Sequence, residues 1–393
     1  MATVEEIHTL PELRSVRMAW NHLLVGTPGA SFLQSYDWLR LYWHHFGGDQ
    51  LKFRILLIRS RNDLIGIVPL CVETRRSAGG TLRVLTYPGT RWGVRGTPIG
   101  PNPAASLIIA MEYLRTTPRD WDLLELAASD SDLGDRSRTA MALQRAGLSI
   151  RQASHPPRSA VRINGSWEEY WAQRSEALRD TLVWQIAELS REQPSGESAH
   201  IQYIRHRPAG ARFDDCDPRW DLWDACVPLA SQAHSHAGPQ TTHTAQDSSR
   251  PKLLGNEQHQ AFAENWHAAA TRRGMVDLNL LLVNRRPVAY IYNSICHGEL
   301  TPIEAGGIRG PRGGDPLWVL TAKMICDSFR LGDRVLRLAD TAPKIQNAFR
   351  TNQENQAVYR HCPWSAWRAH RERLARWIWG LRPPLNDRHR DAG

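Results

Sequence analysis

The chain has almost no lysine. Lys52, Lys252, Lys323 and Lys344 are the only four among 393 residues, so the 49 basic residues are nearly all arginine. A bias spread over the whole chain reads as a compositional habit rather than a phosphate-binding design. Paired cysteines are missing as well. Cys71, Cys216, Cys226, Cys296, Cys326 and Cys362 are scattered with no CxxC spacing, which points to buried thiols in a reducing compartment. No apolar run approaches the roughly 18–20 residues that span a bilayer. The N-terminal MATVEEIHTLPELRSV is acidic and polar, unlike a secretory signal, so a cytoplasmic protein is expected. No GxSxG elbow supports a hydrolase triad, and no GK[ST] follows a glycine loop as in a Walker motif. His234, His236, His243, His259 and His267 are numerous but lack zinc-ligand spacing, so no metal is expected.

What is present suits a folded protein of two domains: 41% apolar and 23% charged residues over a length beyond one ordinary core. The net charge of +9 is uneven, since eight arginines against three acidic residues fall from Arg360 to the end. The remainder is only mildly basic, which argues against a DNA or tRNA groove across the main fold. The terminal run WSAWRAHRERLARWIWGLRPP reads as a basic, Trp-bearing helix. Its aromatic side suits docking on the domain, the favoured reading. Peripheral contact with the inner membrane fits the same composition.

The chain repeats one order of elements. Helical patterning through Leu13, Trp20 and Trp38 precedes the hairpin KFRILLIR–SRND–LIGIVPLCVE, a third strand at 81–89, a loop from Thr90 to Pro103, a helix, and the strand WDLLELAA. The second half opens on a long helix from Ser166 to about Arg191, with Ser166 and Glu169 forming a capping box. A strand at 200–208, a helix at 218–230, a polar His-rich loop at 231–255 and a helix at 256–273 follow. Then come the hairpin LNLLLVNRRPVAYIYNSICHGEL, a third strand, the loop IRGPRGGDP, a helix and the strand RVLRLAD. The hairpins begin 225 residues apart and the later strands 213 apart, as in an internal duplication. Each half gives a meander and then a helical crossover to a parallel strand, so an α/β class with mixed, mostly antiparallel sheets is expected. The predicted domains are 1–165, 166–357 and a basic tail at 358–393.

The loop Gly306–Pro316 is the strongest candidate site. A glycine loop leading into a helix N-terminus gathers unpaired N–H groups and the positive end of the dipole. Gly310, Gly313 and Gly314 permit close approach of a ligand, Arg309 and Arg312 are candidate phosphate clamps, and Asp315 is placed to cap the helix. Glu304, on the strand before the loop, is a candidate general base, although a Glu on a half-exposed strand ordinarily faces solvent. Asp340 ends a buried strand, where carboxylates often line α/β sites or cap the next helix. Tyr290 and Tyr292 share a strand face, Tyr292 being a candidate proton donor and core packing the ordinary role.

Over about residues 5 to 355 these segments resemble the GNAT-type acetyltransferases grouped with the cellulose-biosynthesis protein CelD, which are related to the FemAB aminoacyltransferases. The resemblance rests on SFLQSYDWLRLYWHHFG, FRILLIRSRNDLIGIVPLCVE and WDLLELAASDSD in the first half. In the second it rests on SWEEYWAQRSEALRDTL, LNLLLVNRRPVAYIYNSICHGEL, PLWVLTAKMICDSF and RVLRLAD. Members commonly carry SPG where this chain has GGDP, and Tyr-Lys where it has Phe349-Arg350. The resemblance implies tandem GNAT-like lobes, the second holding acetyl-CoA or another acyl-CoA, and transfer of the acyl group to an amine or hydroxyl, such as that of an envelope or exopolysaccharide sugar. Aminoacyl transfer from tRNA and a degenerate scaffold in polysaccharide assembly are the alternative readings.

Overall fold

The computed structural model describes residues 2–77, 80–90, 96–130, 137–191, 199–235, 253–254, 256–310, 313–339 and 341–363. The chain divides into two compact units, one of residues 1–156, 242–251 and 355–393, the other of 157–241 and 252–354. Twelve strands occur along the described chain: β1 (Ala2–Ile7), β2 (Leu51–Ser60), β3 (Asp63–Ser77), β4 (Gly80–Thr86), β5 (Leu123–Asp130), β6 (Arg151–Arg162), β7 (Ile201–His206), β8 (Val276–Val283), β9 (Arg286–Cys296), β10 (Glu299–Gly307), β11 (Val335–Arg337) and β12 (Asn352–His361). The first unit orders its strands β1-β2-β3-β4-β5-β12, and the second β6-β11-β10-β9-β8-β7.

Both units are built alike. Antiparallel hairpins lead through a helix to one parallel pairing, β4 with β5 and β10 with β11. Each parallel pair is short. Val84 and Leu85 face Leu123 and Leu124 in the first unit, and Glu299 and Leu300 face Val335 and Leu336 in the second. Among the described residues three hairpin turns have two residues, Arg61–Asn62, Asn284–Arg285 and His297–Gly298, all at positive φ. That is the type I′ geometry whose twist matches that of the strands it joins.

The exchange of terminal strands was not anticipated. β12, near the end of the chain, pairs through Asn355–His361 with β5, while Ala160–Arg162 of β6 pair with β11. β6 is one strand where two short ones near 148–153 and 159–164 were expected. The long helix expected from Ser166 is two, Trp167–Ala172 and Glu176–Ser190, because Ser175 takes an extended conformation and caps the second through Leu178 N–H. The Ser166–Glu169 capping box is present. The helix expected over 218–230 continues to Ser235. Most of the His-rich 231–255 segment and the basic helix after Pro363 lie outside the described residues. Among the described residues no helix is long and apolar enough to cross a membrane.

In the second unit, helices Glu176–Ser190 and Pro316–Leu331 cover one sheet face. Leu182, Leu189, Val319 and Leu320 pack there against Leu281, Ala289, Ile291 and Leu300. Each buried Leu, Val or Ile side chain contributes roughly 1.5–3 kcal/mol by leaving water. The opposite face carries Tyr290 and Tyr292 beneath helices Trp220–Ser235 and Gln260–Arg272.

Candidate functional site

β10 pairs with β11 at Glu299 and Leu300, and β11 ends at Arg337 while β10 runs on to Gly307 at the candidate loop. Arg337 ties this pairing together, donating to Glu299 at 3.0 Å, Thr301 at 3.3 Å and Glu354 at 2.9 Å. A buried polar cluster fixes the helix that follows the loop. Arg205 on β7 binds Asp277 at 2.6 Å and reaches Asp327 at 3.2 Å, and the second oxygen of Asp277 accepts from Asn279 and Asn293. Such a charge is tolerated in a core because both oxygens of Asp277 and the Arg205 guanidinium are bonded. Pattern reading missed this cluster, although Asp277 and Asn279 are polar residues alternating within an apolar strand, which was the available signal.

Glu304 does not face solvent as surface preference would have it. It is half-buried on the Tyr290 face, where it accepts the Tyr290 hydroxyl at 2.9 Å and the amides of Leu253 and Leu254 at 2.8 and 3.1 Å. Burial first, and then the Glu304 carboxylate, push the Tyr290 phenol well above its usual value, so it stays a proton donor. Gly306 is required beside it, because a Cβ there would lie 2.7 Å from the Tyr290 ring.

Tyr292 stands opposite Glu304 in the strand register but has a separate environment. It is 1% exposed, and its hydroxyl lies 3.1 Å from Nδ1 of His267. His267 Nε2 is 2.7 Å from the Pro218 carbonyl, which can only accept, so Nε2 carries the proton and Nδ1 receives that of Tyr292. Trp223 stacks on the imidazole at 4.5 Å. Burial lowers the His267 pKa to about 4, keeping the ring neutral. This pair belongs to the core. His267 joins no metal group: among the described residues no set of three or more His, Cys, Asp or Glu is placed to hold one.

The loop itself is closed on its own groups. Gly310 N–H donates to Gly314 O at 2.8 Å, and Gly313 N–H donates to Gly310 O at 3.0 Å with Gly313 at φ +87°. Asp315 caps helix Pro316–Leu331 by accepting from Leu317 N–H at 3.1 Å, and its own N–H donates to Gln185 at 2.7 Å. Burial pushes the Asp315 carboxyl up, opposed by the Leu317 amide and by Arg309, whose Nε lies 3.7 Å away on a side chain 59% exposed. Arg312 and Asp340 lie outside the described residues. The structure thus joins Glu304 to Tyr290, and Arg309 to Asp315, as two separate groups.

In the first unit residues 96–100 fold back against β3. Its loop pairs Ile99 with Ile67 through two backbone bonds of 2.8 and 2.9 Å, and Thr27 accepts the Gly100 amide. At Gly66 a Cβ would fall on Ser106 of the following helix.

Comparison with known proteins bears on the fold. No family model and no curated protein matches the chain. Among solved structures, the C-terminal domain (DUF2156) of a protein provisionally assigned as a lysylphosphatidylglycerol synthetase from Agrobacterium fabrum aligns over 93% of this chain and 97% of its own, at TM-score 0.53 and 9% identity. FemX aligns over 94% and 100% at TM-score 0.48 and 8% identity. A tandem GNAT protein from the clavulanic acid biosynthesis pathway aligns over 92% and 98% at TM-score 0.47 and 12% identity. The fold is α/β and resembles tandem GNAT-like lobes. The comparisons reach that fold and not the CelD-like grouping.

Proposed function

We propose that the chain is an acyltransferase whose reaction takes place in the second unit, beyond the end of the β10–β11 pairing. The observation that carries this reading is the Tyr290–Glu304 pair on β9 and β10, a buried phenol bonded at 2.9 Å to a half-buried carboxylate. An amine or hydroxyl acceptor attacks the carbonyl of an acyl ester or thioester, forming the new C–N or C–O bond. Glu304 accepts the acceptor's proton, and the donor's alcohol or thiol leaves with the electron pair of the broken bond. Tyr290 fixes the carboxylate's direction while it remains protonated. General-base catalysis of this kind contributes about 10²–10⁴-fold, the remainder coming from positioning.

An acyl-CoA donor suits the fold in its pantetheine arm but not in its diphosphate. The loop amides of Gly310, Gly313, Asp315 and Leu317 all donate within the protein, and Asp315 brings a carboxylate to the helix start. The same observation supports a second reading, aminoacyl transfer from an ester donor such as tRNA, whose phosphates need not enter the loop. The acceptor, an envelope or exopolysaccharide sugar, and the CelD-like grouping follow from the sequence resemblance alone.

The test is release of thiol from acetyl-pantetheine, a thioester without a diphosphate, in the presence of amino sugars and simple amines. Glu304→Gln should lower kcat by about 100-fold or more. Equal rates for the variant and the parent protein, or no release above buffer with any acceptor, would remove the reading. Salt-dependent binding of aminoacyl-tRNA would instead support the ester donor.

A further inference from the structure

The helix N-terminus that a diphosphate would need is already occupied by side chains, two of them acidic and one a carboxamide. Three side chains do this. Asp315 is 8% exposed, with Gln185 and Glu188 each 5% exposed on the helix opposite. Gln185 Oε1 takes the Asp315 amide at 2.7 Å, and Asp315 Oδ1 takes that of Leu317 at 3.1 Å. Beside them Gly314 has no room to spare, since a Cβ there would meet Glu188 Cγ at 3.3 Å. A ligand phosphate seated at this point would have to displace two hydrogen bonds and approach the carboxylate of Asp315. Like charges at short range in a partly buried place repel strongly.

We infer that Asp315 and Gln185 form a lock at the start of helix Pro316–Leu331 that excludes diphosphate-bearing donors and sets the donor class of this unit. The donor admitted is an acyl ester or thioester that presents an uncharged arm to the site and keeps its phosphates, where it has any, away from the Gly310–Asp315 loop. Arg309 is the outer edge of the lock. Its side chain is 59% exposed, with Nε 3.7 Å from the Asp315 carboxylate. Asp315 is a specificity-determining residue in this scheme, not a catalytic one. The donor assignment rests on the transfer reading, whereas the exclusion itself is a binding property and stands without it.

The test uses the full-length protein, inorganic pyrophosphate and coenzyme A as probes, and calorimetry. The parent protein should give no binding to either probe at millimolar concentration. Asp315→Asn keeps the shape and the N-cap while removing the charge, and combined with Gln185→Ala it frees the Asp315 amide. Binding of both probes should then rise by at least about tenfold, more at low salt. Should the double variant unfold, Asp315→Asn alone carries the measurement, with a gain in the same direction. Equal binding by parent and variant, whether both tight or both absent, overturns the lock. Turnover separates the two proposals. Acetyl-pantetheine should serve the parent protein well and acetyl-CoA poorly, and equal rates or a preference for acetyl-CoA refute the lock while leaving acyl transfer intact. Failure of both donors with the binding results as expected removes acyl transfer and leaves the lock standing.

Discussion

At the scale of single residues, the second unit separates a reactive-looking histidine from the place where chemistry is proposed. His267 is neutral, stacked and bonded at both nitrogens, so its contribution is to stability and to the orientation of Tyr292. Burial holds its folded-state pKa at about 4. An unfolded imidazole titrates near 6.5, so as pH falls the unfolded chain takes up the proton first. The contribution is therefore whole above roughly pH 6.5 and is lost as pH falls toward the folded value, by about 1.4 kcal/mol per pH unit and about 3 kcal/mol in all. His267→Gln keeps a donor for Pro218 and an acceptor for Tyr292 without the titration. Urea unfolding of the two proteins at pH 7 and pH 5 should show the parent losing more stability than the variant. His206 and His259, whose burial lowers them too, are common to both and cancel in the subtraction. Equal losses in the two proteins would place the His267 titration outside this range.

At the scale of elements, the three two-residue turns set the registers on which the site depends. Asn284–Arg285 joins β8 to β9, with Val283 opposite Arg286, and so places Tyr290 and Tyr292 on one face. Arg285 holds φ at 65°, a conformation that costs a residue with a Cβ about 1 kcal/mol and glycine little. Arg285→Gly should accordingly raise the stability of the second unit by about 0.5–1 kcal/mol in urea unfolding, with the glycine's greater unfolded-state entropy subtracted. A loss of stability would mean that the Arg285 side chain does more than turn the chain. These hairpins, the crossover to a parallel strand and the Asp315 cap were legible in the sequence because each is written in adjacent residues: an alternating run, a polar turn, an Asp before a Pro. The break at Ser175 was masked by apolar spacing that continues across it. β1 and β12 were missed because neither alternates cleanly, and each is defined by a partner far along the chain, β2 and β5. The candidate site was half legible for the same reason. Glu304 and the glycine loop stand out locally, but the Gln185 that closes the loop is 130 positions from Asp315. Its one local sign was a polar residue on the buried stripe of Leu178, Leu182 and Leu189.

At the scale of the molecule, duplication supplies two units of one topology, and the structure treats them differently. In the second unit β10 runs on past its pairing with β11 to Glu304, which accepts the Tyr290 hydroxyl. In the first, the chain between β4 and the helix Pro103–Thr116 turns back, so that Ile99 bridges to Ile67 and is 0% exposed, while Gln34 holds Thr97 at 2.6 Å. A segment fixed by backbone bonds, side-chain bonds and a buried isoleucine is not displaced at small cost. Removing the Ile99 side chain beyond Cβ alone would cost roughly 2–5 kcal/mol. One acyl-donor site per chain is therefore expected, and the two units should answer mutation in opposite ways. Ile99→Ala should lower the unfolding midpoint yet leave kcat and KM for acetyl-pantetheine unchanged at temperatures where the chain stays folded. Tyr290→Phe, which removes one hydrogen bond to a charged acceptor and costs about 1.5–3 kcal/mol, should lower kcat as well. Calorimetric titration with acetyl-pantetheine should saturate at one molecule per chain. Saturation at two, or a fall in kcat for Ile99→Ala matching that for Tyr290→Phe, would show that the first unit also holds donor and that its folded-back loop is not the barrier it forms in this structure.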